Sequence, residues 1–456
     1  MDNTVRELAF ISCCVFNWWS VRCMVMISFY HARQRVFYRL CLSFFLVLTI
    51  SYKLAAEELI GKGEQLNLPK CLDIAIKKHP QIAAATNNLD VQKGRIGQAK
   101  AGYYPQVKLN SGLSRNASPG KLSSYNEYSS SLSLSQKIFD FNRTGTQVDI
   151  QTINLESSRA DLNDVLLNII LGVKQAYYDL LKAKRARDIN AEMVRQFEQH
   201  LGQAKGFFEV GVKPKFDVTK ADVDLSNARL NLLKAENALR VALVALNNAM
   251  GMPDAPPYDI EDDVGYQKNA VDLGESLRKA YLNRPDLQSL ILKKEAAQRS
   301  VALAGKDYYP VLTGSAGYGW SGQDFPLDSG WNVGASLNFD LFSGFLTKYQ
   351  VSEAAANLAV LRADEETLRQ TIRLEVEQSC ANLQDAEKRI STATVAVRQA
   401  EENLDLAQGR YATGVGDTLE VTDAVVAQGN ARTNLSAALY DYKIAEASLE
   451  KAMGNK

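Results

Sequence analysis

The sequence is poor in histidine. Only His31, His79 and His200 occur in 456 residues, and none lies near another at metal-ligand or catalytic spacing. Cysteine is scarce where it would count. Cys13, Cys14, Cys23 and Cys41 fall in the first 55 residues, leaving Cys71 and Cys380, too few for a disulfide framework. One bridge between them is conceivable, but two unpaired, helix-buried thiols are the expectation. Charge of one sign is also lacking. Lys plus Arg and Asp plus Glu both number 52, so the chain has no basic excess with which to hold nucleic acid. After residue 55 no apolar run approaches the ~20 residues of a membrane helix. Walker A, CxxC, HExxH and G-x-S-x-G patterns are absent. "GYGWSG" at 317–322 satisfies G-x-G-x-x-G, but a loop and a strand follow it, not the helix that would receive a pyrophosphate. No catalytic residue, cofactor or metal is expected.

The first 55 residues differ from the rest. Arg33, Arg35 and Arg39 precede "LCLSFFLVLTI", and "SYKLAAEE" then returns to small and charged residues. A basic flank, a short apolar core and an Ala-containing exit read as a secretory signal peptide, with an N-terminal anchor helix as the alternative. A start at Met24 or Met26 would leave a conventional leader. Cys41 follows Tyr38-Arg39-Leu40, not the small residues of a lipoprotein site, so no lipid anchor is expected.

The remainder is one unit used twice. "HPQIAAATNNLDVQKGRIGQAKAGYYP" at 79–105 matches "RPDLQSLILKKEAAQRSVALAGKDYYP" at 284–310 with an offset of 205. Further on the offset settles at 203, aligning Gly211-Val212 with Gly414-Val415 and Asn227-Ala228-Arg229 with Asn430-Ala431-Arg432. The repeats run over 69–252 and 272–454, joined by a Pro- and Asp-rich connector at 253–271.

Each unit reads as helix, two strands, long helix, turn, helix. The first helix, about 80–102, stops at "YYP" because the residue before proline avoids helical geometry. In the first repeat Tyr128, Leu132, Leu134, Gln136 and Ile138 alternate with Ser129, Ser131, Ser133 and Ser135. In the second, Trp331, Val333, Ala335, Leu337, Phe339 and Leu341 alternate with Asn332, Gly334, Ser336, Asn338 and Asp340. Tyr103, Tyr104, Tyr308, Tyr309 and Trp331 near the strand ends suit the aromatic girdle of a transmembrane barrel. A sheet packed on a soluble core is the plainer alternative. Four strands cannot close a barrel, so in lipid several chains would have to share one. From Asn142 to about Gly206 no proline occurs, giving a helix on the order of 95 Å, suited to an extended coiled coil. Turns at 207–217 and 410–420 then reverse the chain, the second crowded by Asp417, Glu420 and Asp423.

Leader, duplication, strand pairs and long hairpins, with "AGYYP" (101–105), "LSQKIFDF" (134–141), "LNFDLFSGF" (337–345) and the two tips, resemble the TolC family of trimeric outer-membrane efflux ducts. The resemblance implies an α+β membrane protein of the cell outer membrane. Three chains would form one 12-stranded barrel, four strands each, continued by an α-helical coiled-coil barrel into the periplasm. It implies a homotrimer working passively with a periplasmic adaptor and an inner-membrane pump of RND, ABC or MFS type, in efflux or type I secretion. Carried over by position, Val210, Gly211, Val212, Thr413, Gly414 and Val415 are the adaptor-contacting tips. Asp217, Glu420 and Asp423 form the acidic ring of the periplasmic entrance, and Tyr411 belongs to its closing network. The family's arginine is replaced by Gly416, for which Lys213, Lys215 or Lys220 would have to substitute. A structural coiled-coil envelope scaffold is the rival reading, and an outer-membrane enzyme a more distant one.

Overall fold

The structure, a computed structural model, describes residues 60–61, 63–117, 124–262, 265 and 271–455. The expected leader at 1–55 and the first strand connection at 118–123 lie outside the described residues. The chain divides into Met1–Gly61 and Lys62–Lys456, and every element below belongs to the second unit.

A short strand, β1 (Gln65–Leu66), enters α1 (Leu68–Lys78), whose first turn is capped by Asn67 accepting from the Lys70 amide at 3.1 Å. His79 leaves helical geometry before Pro80, and α2 (Pro80–Lys100) follows. A 3-10 turn (Ala101–Tyr103) leads into strands β2 (Gln106–Ala117) and β3 (Ser124–Phe139). Then come α3 (Arg143–Glu209) and α4 (Lys215–Ala249). After β4 (Asp259–Ile260) the order recurs as α5 (Leu273–Asn283), α6 (Pro285–Gly305), a 3-10 turn (Lys306–Tyr308), β5 (Val311–Gly322), β6 (Asp328–Asn338), α7 (Leu346–Ala412) and α8 (Thr418–Ala452). In both halves the four helices have 11, 21, 67 and 35 residues, so the repetition extends from sequence to backbone. Neither 67-residue helix contains proline, and each is about 100 Å long at ~1.5 Å per residue.

Two apolar clusters hold the helices together. One packs α5 and α6 against the middle of the second hairpin through Leu287, Ile372, Val376, Ala438 and Tyr442. The other lies near the hairpin ends, drawing Phe197 and Leu201 from α3, Leu225 from α4, Leu404 and Tyr411 from α7, and Val421 and Val425 from α8. The two tips are thus packed side by side within one chain. The connector is not a loose linker. Its β4 pairs in parallel with β1, Lys184 on α3 bonds Asp259 at 2.7 Å, and the Tyr177 hydroxyl donates to the Glu261 carbonyl at 2.6 Å. Tyr440 on α8 donates to Asp262, so the connector is strapped across both repeats. Cys71 and Cys380 are free and buried, and burial pushes the Cys71 thiol up to about 12.

The four long strands form one antiparallel sheet in the order β2-β3-β5-β6. Its register pairs Leu109 with Leu132, Leu132 with Tyr318, and Tyr318 with Trp331. Residues directly opposite share a face, so this row lies on the apolar side. The other side carries Asn110, Ser131, Gly319 and Gly330, all polar or small. Among the described residues no helix covers the apolar face. Trp331 is 75% exposed and Val333 73% exposed in the single chain. Two strand limits differ from the alternation pattern. A register irregularity between Lys137 and Phe139 disturbs the line at Ile138, and Phe339 and Leu341 lie beyond the end of β6 at Asn338. "GYGWSG" is the distal part of β5, paired on both sides up to Ser321. No helix among the described residues is long and apolar enough to cross a membrane.

Candidate functional site at the hairpin tips

The same backbone device closes both hairpins. After α3, Gly211 adopts φ +77°, its amide bonds the Phe208 carbonyl at 3.0 Å, and the Val212 amide bonds the Phe207 carbonyl at 2.9 Å. After α7, Gly414 also has φ +77°, bonding Tyr411 at 3.0 Å, while Val415 bonds Arg410 at 3.1 Å. Both are Schellman motifs, in which a left-handed residue lets two amides satisfy the last helical carbonyls, and glycine takes that conformation without steric cost. The turns project apolar side chains outward: Val210 and Val415 are each 71% exposed, and Val212 and Phe216 are exposed beside them. Thr413 instead turns its hydroxyl back onto the Arg410 carbonyl at 2.9 Å.

The side chains beyond the turns diverge. Glu420 and Asp423 are exposed on α8, and Asp417 caps that helix by accepting from the Leu419 amide at 3.4 Å. Asp217 has the same spacing from its glycine as Glu420, yet it is 5% exposed. It points into the packing between the hairpins, so within this chain it is not on the acidic surface that its spacing suggested. Tyr411 is fully buried, with the Phe207 ring 5.5 Å and the His200 ring 4.9 Å away, centroid to centroid. Burial raises its pKa, and Asp217 adds to that.

Gly416 has a physical reason to replace arginine. A Cβ there would stand 2.8 Å from the Tyr411 amide nitrogen and 2.9 Å from the Arg410 carbonyl carbon. The Gly416 amide folds back onto the Arg410 carbonyl at 2.8 Å, closing the gap that a side chain would need. The cations come from elsewhere. Lys213, which occupies the matching position in the first turn, donates to the Gly416 carbonyl at 2.9 Å and lies 5.6 Å from the Tyr411 ring centroid. Arg410 pairs with Glu420 at 3.0 Å. Of the three candidate lysines, Lys213 bridges the tips and Lys220 grips Asp224 at 2.5 and 2.8 Å. Lys215 begins α4 and is exposed.

A buried polar seam joins the hairpins. Thr422 on α8 donates to Asp224 on α4 at 2.8 Å, and His200 on α3 meets the Thr418 hydroxyl at 2.8 Å. No local pattern marks these bonds, since their partners are separated by 198 and 218 residues. Among the described residues no cluster of three or more His, Cys, Asp or Glu side chains could hold a metal.

At the opposite end of the hairpins, Tyr103, Tyr104, Tyr308 and Tyr309 are exposed where the 3-10 turns enter the sheet. Phe139, Phe141, Phe342 and Phe345 join them, with Phe141 stacked on Tyr309 at 4.9 Å. Phe139 ends β3, and the other three follow the strands, where the alternation has ended. Trp331 sits apart, opposite Tyr318, roughly 24 Å along β5 from Val311 at ~3.4 Å per residue. The residues expected to form a girdle therefore fall at two levels of the sheet.

Long helical hairpins carrying a sheet with an uncovered apolar face are the architecture of a membrane channel component. The chain belongs to the outer membrane efflux protein family, whose sequence model matches residues 71–252 and 276–455. It is 23% identical over 406 residues to the outer membrane protein TolC of Vibrio cholerae, covering 85% of this chain and 90% of that one. The protein CyaE of Bordetella pertussis is 24% identical over 371 residues, covering 79% and 78%. The crystal structure of the Campylobacter jejuni CmeC outer membrane channel has the same fold, with a TM-score of 0.76, 18% identity and 85% of each chain covered. The chain is an outer-membrane efflux or secretion channel component. Channels of this family work with adaptor proteins and inner-membrane pumps in tripartite systems.

Proposed function

We propose that three copies of this chain assemble into one passive conduit, with a 12-stranded barrel in the outer membrane and a helical barrel reaching into the periplasm. One observation carries the reading. The four-stranded sheet leaves its apolar face and its edge strands β2 and β6 uncovered. Lipid tolerates the face but not the unpaired edges, which neighbouring copies would pair. At the far end, the exposed Val210, Gly211, Val212, Thr413, Gly414 and Val415 offer the helical hairpin of a periplasmic adaptor an apolar, shape-defined contact. Glu420 and Asp423 from each copy would stand at one height around the axis, attracting cations and repelling anions. The test is reconstitution of the detergent-extracted protein in planar bilayers. Discrete, long-lived conductance steps are expected; a water-soluble dimer giving no current would return the scaffold reading.

A further inference from the structure

We propose that His200 and Thr418 form a proton-sensitive latch between the two hairpins of a chain, closed while the imidazole is neutral and opened by its protonation. This deepens the reading of the tips as a channel mouth and depends on that reading for its role, although the contact itself lies within one chain.

The geometry is that of a buried polar joint with one unpaired atom. His200 is 3% exposed on α3, and its Nε2 lies 2.8 Å from the Thr418 hydroxyl, in the first residue of α8. The first hairpin thus holds the second at the point where the second tip begins. The other ring nitrogen, Nδ1, is buried without a hydrogen-bond partner, beside the Tyr411 ring. Orphaned polar atoms of this kind are rare in protein interiors and mark places where an arrangement is costly to keep.

The surroundings decide what a proton would do. α4 presents Asp217, Asp224 and Lys220 to the imidazole. α7 presents Tyr411, while its Arg410 is turned to Glu420. α8 presents Thr418 and Thr422 with Asp417 at its cap, and Lys213 from the first turn lies over Tyr411. Asp224 is already held by Lys220 and Thr422. A neutral imidazole keeps its bond to Thr418 in either tautomer, because a hydroxyl can donate or accept, and leaves Nδ1 a neutral unpaired atom. Protonation would make both nitrogens donors and bury a charge, while Nδ1 has no acceptor. The charge is relieved when the ring leaves the seam, and Thr418 is then released.

The sign follows from linkage. Burial lowers the His200 pKa from its ordinary 6.5; Asp224 and Asp217 oppose this without reversing it, and Lys220 adds to the lowering. The released state therefore binds the proton more tightly. The latch is favoured above pH 6.5 and lost as the pH falls below that value.

Spin labels at Val210→Cys and Thr413→Cys on the assembled protein in lipid nanodiscs report the separation of the tips by pulsed electron resonance. One short intrachain distance is expected at about pH 8, with a longer population growing below about pH 6.5. His200→Gln can still bond Thr418 but cannot take the proton, so it is expected to keep the short distance throughout. Absence of the longer population in the wild-type background overturns the proposal. So does an unchanged response in His200→Gln, which would assign the effect to the carboxylates. Should that variant fail to assemble, carbon-13 NMR of the imidazoles decides, since beyond residue 55 only His79 and His200 occur. His200 must titrate below 6.5 and track the distance change; titration at or above that value overturns the latch. Conductance in bilayers is measured separately, so a conducting protein without the pH response loses the latch and keeps the channel.

Discussion

The two hairpin tips are the same backbone with different chemistry. Gly211 and Gly414 share φ +77° and the same pair of turn hydrogen bonds, 203 residues apart. Beyond them, Lys213 stands opposite Gly416, Asp217 opposite Glu420 and Lys220 opposite Asp423. The first tip turns its acid inward and commits two of its lysines to the seam, Lys213 to the Gly416 carbonyl and Lys220 to Asp224. The second tip leaves its acids outside. Duplication preserved what the turn needs and released what it does not. A single chain can therefore give one tip to internal bonding and the other to the solvent of the entrance.

The largest effect that would break this comparison is Gly416→Arg. The new Cβ would meet backbone at 2.8 and 2.9 Å, atoms that cannot swing aside as a side chain would. The second tip is expected to lose about 1–3 kcal/mol of local stability, seen as faster amide hydrogen exchange from Arg410 to Leu419. Lys213→Arg in the first tip should leave exchange unchanged, because that position already holds a long side chain. A smaller effect is expected at the exposed acids. Glu420→Ala with Asp423→Ala is expected to weaken block of single-channel current by divalent cations several-fold, as like charges at the mouth are removed. Unchanged block would remove these residues from the entrance. The smallest effect sharpens the contrast between the tips. Asp217→Ala is expected to leave cation block unaltered, since its carboxylate faces His200 and Tyr411. Block weakened as strongly as by the Glu420 and Asp423 pair would put Asp217 on the pore surface.

Much of this was legible because periodicity and duplication are local signals. The absence of proline from 143–209 and 346–412 allowed the long helices, and the constant offset located both turn glycines. Alternation gave the two faces of the sheet up to Asn338. What escaped depends on tertiary distance. Equal spacing made Asp217 look like Glu420, but α4 and α8 present those positions to different surroundings. His200 showed only as an isolated histidine because Thr418 is 218 residues away. Gly416 looked like a lost arginine, whereas a Cβ there would press on the backbone of Arg410 and Tyr411. The strapped connector was read only as Pro- and Asp-rich, since its partners Tyr177, Lys184 and Tyr440 lie on the long helices.

The uncovered sheet edges lead to the most direct measurement, oxidative cross-linking of β2 to β6 between copies. Ser111→Cys on β2 is combined with a cysteine scan of β6 from Asn332 to Ser336, the buried Cys71 and Cys380 serving as an unreactive background. Edges closed by neighbouring copies give a covalent ladder on denaturing gels that stops at three chains. Monomer alone at every scanned position, or a ladder that runs on past three, would contradict the closed trimeric barrel.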